Sequence, residues 1–225
     1  MAIKKIKEMM HGFLVSNEWK QDIPELVTKE KEFNELFNEV KNHSFMGVNR
    51  LFFLYQFAKH ALTLSGEVAE IGVYKGGSAK LIAKVFQNTP KKIHLFDTFT
   101  GFPTGHPKNE NNKEMFKGET DLSSVQNYLK ECNNVVLHQG LFPNTAKELK
   151  QKKFCFVHID ADLYKSTLDC LEFFYPKMVF GGIIVCADYT ASKYKGPGKA
   201  INEFLKDKKE FPIHTTENQC IIIKK

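Results

Sequence analysis

Arginine is almost missing from this chain. Lysine and arginine together number 32, yet Arg50 is the single arginine. The planar fork that reads guanines and clamps phosphates is therefore scarce. The formal charge of +6 then reads as lysine on a solvated surface, and no nucleic-acid partner is expected. No apolar run approaches the roughly 18 residues needed to cross a bilayer, and no small-residue cleavage site follows a basic start. Neither a membrane partner nor a signal peptide is expected. Cysteines are few and scattered, at Cys132, Cys155, Cys170, Cys186 and Cys220, with no CxxC pair. They read as small buried thiols in a reducing, cytoplasmic setting. Internal repeats and low-complexity tracts are also lacking. What is present is 225 residues, 42% of them hydrophobic, enough for one domain with an ample core.

After residue 66 short apolar runs alternate with helical patterns. The runs are Val68 to Ile71, Ile93 to Phe96, Val135 to His138, Phe154 to Ile159 and Ile183 to Cys186, each short enough and apolar enough for a buried parallel strand. Helical spacing lies between them, near Ser78 to Phe86, Leu122 to Lys130, Thr145 to Lys150, Ser166 to Phe174 and Lys199 to Leu205. Repeated βαβ units with right-handed crossovers make an α/β, doubly wound, mostly parallel Rossmann-like sheet. Phe211 to Thr215 and Gln219 to Lys224 add a C-terminal antiparallel hairpin. Residues 1–65 carry helical spacing in Ile3 to Phe13, Leu26 to Val40 and Arg50 to Leu62, and predict an N-terminal helical cap on residues 66–225. The polar, Pro- and Gly-broken stretch at 101–120 is too long for a simple connection and reads as a lid.

The first strand ends in "EIGVYKGGSAKLI", residues 70 to 82. A glycine-rich turn between strand and helix lets a ligand approach the backbone and the positive helix end. Gly72, Tyr74, Gly76, Gly77 and Ser78 are the candidate cofactor contacts. The order ExGxxxGG differs from the GxGxxG of nicotinamide enzymes, and a carboxylate at Glu70 repels a pyrophosphate while suiting the ammonium of S-adenosylmethionine. The plainer account is that the glycines only allow close packing. The second strand ends at Asp97, placed to accept from ribose hydroxyls or, alternatively, to cap a turn. Phe99, Gly140 and Phe142 are candidates to border an adenine, with Asn144 or Thr145 as a helix cap the duller account.

Asp160 and Asp162 lie two apart at the end of one strand, and Asp188 ends the next. Neighbouring strands would bring the three carboxylates together at the carboxyl edge, where open α/β sheets bind ligands. Carboxylates packed beside each other call for a cation, and oxygen-only ligation suits Mg2+. Alternatively, one of them caps the helix near Lys165. His106, His138 and His158 lie near strand ends or the lid, and His158 is an alternative base to an aspartate.

Together "EIGVYKGGSA", "LFDTFTGFP", "QGLFPNT", "HIDADLYKST", "FGGIIVCADY" and "GPGKAINEF" resemble, in order and spacing, the macrocin O-methyltransferase (TylF-type) family over about residues 44 to 206. The resemblance implies an S-adenosylmethionine-dependent, Mg2+-dependent enzyme that methylates hydroxyls of sugars on small molecules. It implies cofactor contacts from Glu70, Gly72, Gly77 and Asp97, metal ligation by Asp160 and Asp188, and Asp162 as general base. One departure is visible: Ala187-Asp188-Tyr189 stands where the family has Asp-Asp-Tyr, which removes an expected ligand and keeps a non-catalytic, cofactor-binding relative in view. A nicotinamide-dependent oxidoreductase is the other alternative. Whether the chain forms a homo-oligomer is left open.

Overall fold

The computed structural model describes residues 29–101, 117–192, 195–215 and 217–225. The helical spacing at Ile3 to Phe13, the greater part of the lid stretch, and His106 lie outside the described residues. Two helices come first, α1 (Lys31–Val40) and α2 (Val48–His60). A βα alternation follows: β1 (Glu67–Ile71), α3 (Gly77–Val85), β2 (Ile93–Asp97), α4 (Leu122–Tyr128), β3 (Val135–Gln139), β4 (Phe154–Ile159), α5 (Tyr164–Phe174), β5 (Met178–Cys186), α6 (Lys195–Leu205), β6 (Ile213–His214) and β7 (Cys220–Ile223).

The strands form one sheet in the order β3-β2-β1-β4-β5-β7-β6. β1 runs parallel to both β2 and β4, and β5 parallel to β4. β7 runs antiparallel to β5 and to β6, closing the expected hairpin. The chain order reverses between β1 and β4, so the crevice for a ligand opens above their carboxyl ends. Side chains alternate between two cores, as strand geometry requires. Val68, Leu95, Phe156 and Val185 face Phe33, Leu51, Leu54, Leu81 and Ile82 of the first three helices. Ala69, Phe96, Val157 and Ile184 face Cys170, Leu171 and Phe174 of α5 and Ile201 of α6. The first two helices thus pack on one face of the sheet. All five cysteines are free and buried. Among the described residues no helix is long and apolar enough to cross a membrane.

Three boundaries differ from expectation. β5 begins at Met178, not Ile183, because Gly181 (φ +77) lets the strand bulge and then resume. The register with β4 slips there, from Phe154↔Met178 to Phe156↔Ile183. The segment Asn144–Leu149 is a 3-10 helix with no side-chain cap, so neither Asn144 nor Thr145 acts as one; its turn closes by Ala146 N–H donating to the Pro143 carbonyl at 3.0 Å. α6 starts at Lys195, since Pro197 in a first turn has no amide hydrogen to waste.

Candidate active site

β1 delivers the chain into a turn that only glycine permits. Gly72 has φ +87, and a Cβ there would lie 1.9 Å from the Asp160 carbonyl oxygen. The amide of Gly72 donates to the Phe96 carbonyl (2.9 Å) and that of Asp160 to the Ile71 carbonyl (2.8 Å), which locks the ends of β1, β2 and β4 together. Gly76 and Gly77 do a different job. A Cβ on Gly77 would come 2.7 Å from the His43 carbonyl, and one on Gly76 would press on the Tyr128 ring. Close packing accounts for both, and neither reaches the cavity wall, whereas Gly72, Tyr74 and Ser78 line it.

Glu70 also lies off that wall. It is fully buried, with Oε1 accepting from His158 Nδ1 at 2.8 Å and Oε2 without a partner. The expectation of direct contact with an ammonium is corrected: alternation along β1 turns Glu70 beneath the turn, beside β4. Asp97 does line the cavity. One of its oxygens accepts from the amides of Val73 (2.7 Å) and Tyr74 (3.0 Å), and the other from Phe99 (2.8 Å). The turn-capping account of Asp97 therefore applies, and the oxygen that accepts only from Phe99 keeps a further lone pair. Phe99 is corrected too. Its ring is buried in the core under the helices, and the aromatic wall is built by Phe96 and Phe142 instead, their rings edge to face at 5.3 Å. Gly140 sits beside them on the wall.

The cavity encloses about 400 Å³ and opens above β1, β2, β4 and β5. Gly101 and Thr120, the described ends of the lid stretch, border it. Tyr74 ties the second of these down: its hydroxyl donates to Glu119 (2.8 Å), and its carbonyl accepts from the Thr120 hydroxyl (3.1 Å).

At the far side Asp160, Asp162 and Asp188 each place a carboxylate oxygen within 4.8 Å of the others. Asp162 and Asp188 both have φ +57, a backbone state that aspartate tolerates better than most residues. Asp162 does not cap α5, whose N-cap is Leu163 with no side-chain bond; it is hydrogen-bonded to Asp188. Burial drives the Asp162 pKa well above the carboxylate range, and the charges of Asp160 and Asp188 push it further, with Arg50 opposing. Burial and Asp160 also raise Asp188. Of the three carboxyls, Asp162 is the one pushed furthest toward its protonated form. A cluster that offers only carboxylate oxygens fits a hard divalent ion. Ala187, buried at 3% exposure, adds no ligand.

The structure brings in residues that spacing did not disclose: His43, Met46, Arg50, Leu141 and Ala161 line the same cavity. His138 and His158 lie off its wall, His158 held by Glu70 and His138 beside His94.

The macrocin-O-methyltransferase (TylF) family model matches residues 36–225. Mycinamicin III 3''-O-methyltransferase of Micromonospora griseorubida is 28% identical over 165 residues, covering 65% of this chain and 65% of that relative. The 8-demethyl-8-(2,3-dimethoxy-alpha-L-rhamnosyl)-tetracenomycin-C 4'-O-methyltransferase of Streptomyces olivaceus is 25% identical, covering 65% and 62%. The chain spans just under two thirds of the length of these curated relatives. The solved structure of the O-methyltransferase NovP superposes with a TM-score of 0.69 at 22% identity, over 81% of this chain and 82% of that one.

Proposed function

The chain belongs to the macrocin-O-methyltransferase (TylF) family, and from that premise we propose that it moves the methyl group of S-adenosylmethionine onto a hydroxyl of a sugar or sugar-bearing small molecule. The observation that carries this reading is one cavity holding both Asp97 with the Gly72 turn and the Asp160, Asp162 and Asp188 cluster. The turn, Ser78 at the start of α3, and Asp97 fit the amino-acid and ribose ends of the cofactor. Phe96, Gly140 and Phe142 fit the adenine. Both curated relatives are named for O-methylation, one of them of a rhamnosyl compound, which supports the sugar acceptor. The five free, buried cysteines accord with a cytoplasmic protein.

Asp160 and Asp188 would hold Mg2+, which when bound lowers the pKa of an oxygen near it and keeps neighbouring carboxylates ionised. The chain's own part is placement and proton transfer. The cavity wall brings acceptor oxygen and methyl carbon together, which supplies much of the rate. The oxygen lone pair forms the new C–O bond, the C–S bond breaks with its electrons passing to sulfur, and ionised Asp162 takes the hydroxyl proton. The buried Glu70–His158 pair stands behind Asp160 and steadies the end of β4. Ala187 favours a second reading, a relative that binds cofactor without transferring methyl.

Isothermal titration of S-adenosylhomocysteine, with and without Mg2+, tests the proposal. Saturable binding that Mg2+ and a sugar acceptor convert into turnover supports it. No binding removes it, and binding without methyl transfer to any of a panel of glycosides leaves the second reading.

A further inference from the structure

Arg50 stands out by position as well as by rarity. It is carried in the first turn of α2, a helix fixed by the fully buried Leu51 and Leu54. It lines the cavity. No lysine shares that wall among the described residues, and burial lowers the pKa of the one histidine there, His43, keeping it neutral. Arg50 is therefore the single fixed positive charge on a wall that carries four aspartates. Its Nε is buried without a hydrogen-bond partner, and none of the four carboxylates forms an ion pair with it. Its charge acts on Asp162 and Asp188 without a direct ion pair, and its buried, unfilled Nε is a donor that a ligand oxygen can satisfy. Its planar fork matches two oxygens that share a charge, as in a phosphate or a carboxylate.

We infer that Arg50 is the acceptor-positioning residue, and that the acceptor is a sugar bearing an oxyanion, a phosphate ester or a carboxylate, which the fork holds while the reacting hydroxyl faces Asp160, Asp162 and Asp188. This rests on the methyltransferase reading and adds an acceptor class to it. The two charged ends of the cavity then divide the labour. The aspartates draw in the hydroxyl end, and Arg50 draws in the anionic end, so the acceptor can enter in one orientation only. A lysine at this position would offer a point charge without the two parallel donors.

The test is isothermal titration of the protein, saturated with S-adenosylhomocysteine and Mg2+, with three probes that share one ring: methyl α-D-glucoside, α-D-glucose 1-phosphate and methyl α-D-glucuronide. A charged probe should bind at least about tenfold more tightly than the neutral one. Tighter binding of the phosphate alone identifies a phosphate ester as the source, and of the uronate alone a carboxylate. Arg50→Gln should erase the preference and leave S-adenosylhomocysteine affinity unchanged, and Arg50→Lys should restore it in part. Equal binding of all three probes, binding of none, or a preference that survives Arg50→Gln overturns the inference. So does a loss of S-adenosylhomocysteine affinity in Arg50→Gln, which would assign the fork to the cofactor's own carboxylate. Absence of S-adenosylhomocysteine binding in the parent protein is the separate result that removes the methyltransferase reading itself.

Discussion

Single residues in this cavity are pulled between stability and use, and Asp162 shows the conflict most directly. Its folded pKa is raised, so its contribution to stability is present below its unfolded value and is lost as pH rises through the folded one. At neutral pH the cluster is strained by like charge. Asp162→Asn relieves that repulsion and suits φ +57, which asparagine also tolerates. It should raise the thermal midpoint of the metal-free protein by about 2–4 °C, the equivalent of about 1 kcal/mol at this size. The same change should cut methyl transfer by about 10²–10⁴-fold, because the proton has lost its acceptor. A lower midpoint together with intact turnover would contradict both halves. Asp97 gives a second expectation. Asn offers one acceptor oxygen where the carboxylate serves three amides. Asp97→Asn should weaken S-adenosylhomocysteine binding by about tenfold or more, read by calorimetry. Unchanged affinity would separate Asp97 from the cofactor and leave it a turn cap.

At the level of elements, β1 to β4 were legible because each is a short, nearly continuous apolar run, with β1, β2 and β4 buried on both faces and the edge strand β3 only partly so. β5 was legible only past Gly182, since two consecutive glycines look like a break in sequence and are a bulge in the sheet. Asn144–Leu149 has helical spacing, but six residues do not distinguish a 3-10 from an α-helix. The aspartates of the site were legible from their strand-end positions. Arg50, His43 and Met46 were not, because only tertiary packing brings the start of α2 over the sheet edge. Proximity in sequence to Asp97 misled in the case of Phe99, whose left-handed backbone (φ +54) turns its ring into the core. One feature between elements reports on pH. His94 on β2 places Nδ1 3.0 Å from His138 Nε2 on β3. Burial lowers the His94 pKa to about 4, His138 and more weakly Lys152 add to the lowering, and Glu67 and Glu148 contribute smaller opposing effects. The unfolded chain binds this proton near pH 6.5 and the folded one does not, so stability falls as pH drops from about 6.5 toward 4. His94→Gln should flatten part of that slope in urea unfolding measured across the window. A slope identical to the parent's would show that other groups set it.

For the whole molecule the question is what fastens the C-terminal hairpin, since the sheet's antiparallel end depends on β7 staying paired with β5. Glu210 is the clasp. Its side chain is 2% exposed and accepts from Lys224 Nζ at 2.8 Å, from the Lys225 amide at 2.9 Å, and from the Tyr175 hydroxyl at the end of α5. One carboxylate therefore joins the last residues of the chain to the helix that covers the other face of the sheet. Burial alone would raise its pKa; the bonds from Lys224, Tyr175 and Lys225 outweigh it and bring the value down to about 2. With the folded value below the unfolded one, the stabilisation is complete above about 4.5 and is lost as pH falls toward 2. Glu210→Gln keeps the size and removes the charge, leaving the half-buried Lys224 ammonium without its counter-ion. It should cost on the order of 1–3 kcal/mol at pH 7. The midpoint of urea unfolding for parent and variant, measured at pH 7, 5 and 3.5, checks both the size and the sign: the gap should be widest at pH 7 and narrow at 3.5. A gap that stays constant across this range would mean that the clasp holds by shape and neutral hydrogen bonds, with no contribution from charge. Because Glu210 is not among the residues that line the cavity, S-adenosylhomocysteine affinity at pH 7 should be the same in parent and variant, and a loss there would show that the hairpin and the cofactor cavity open together.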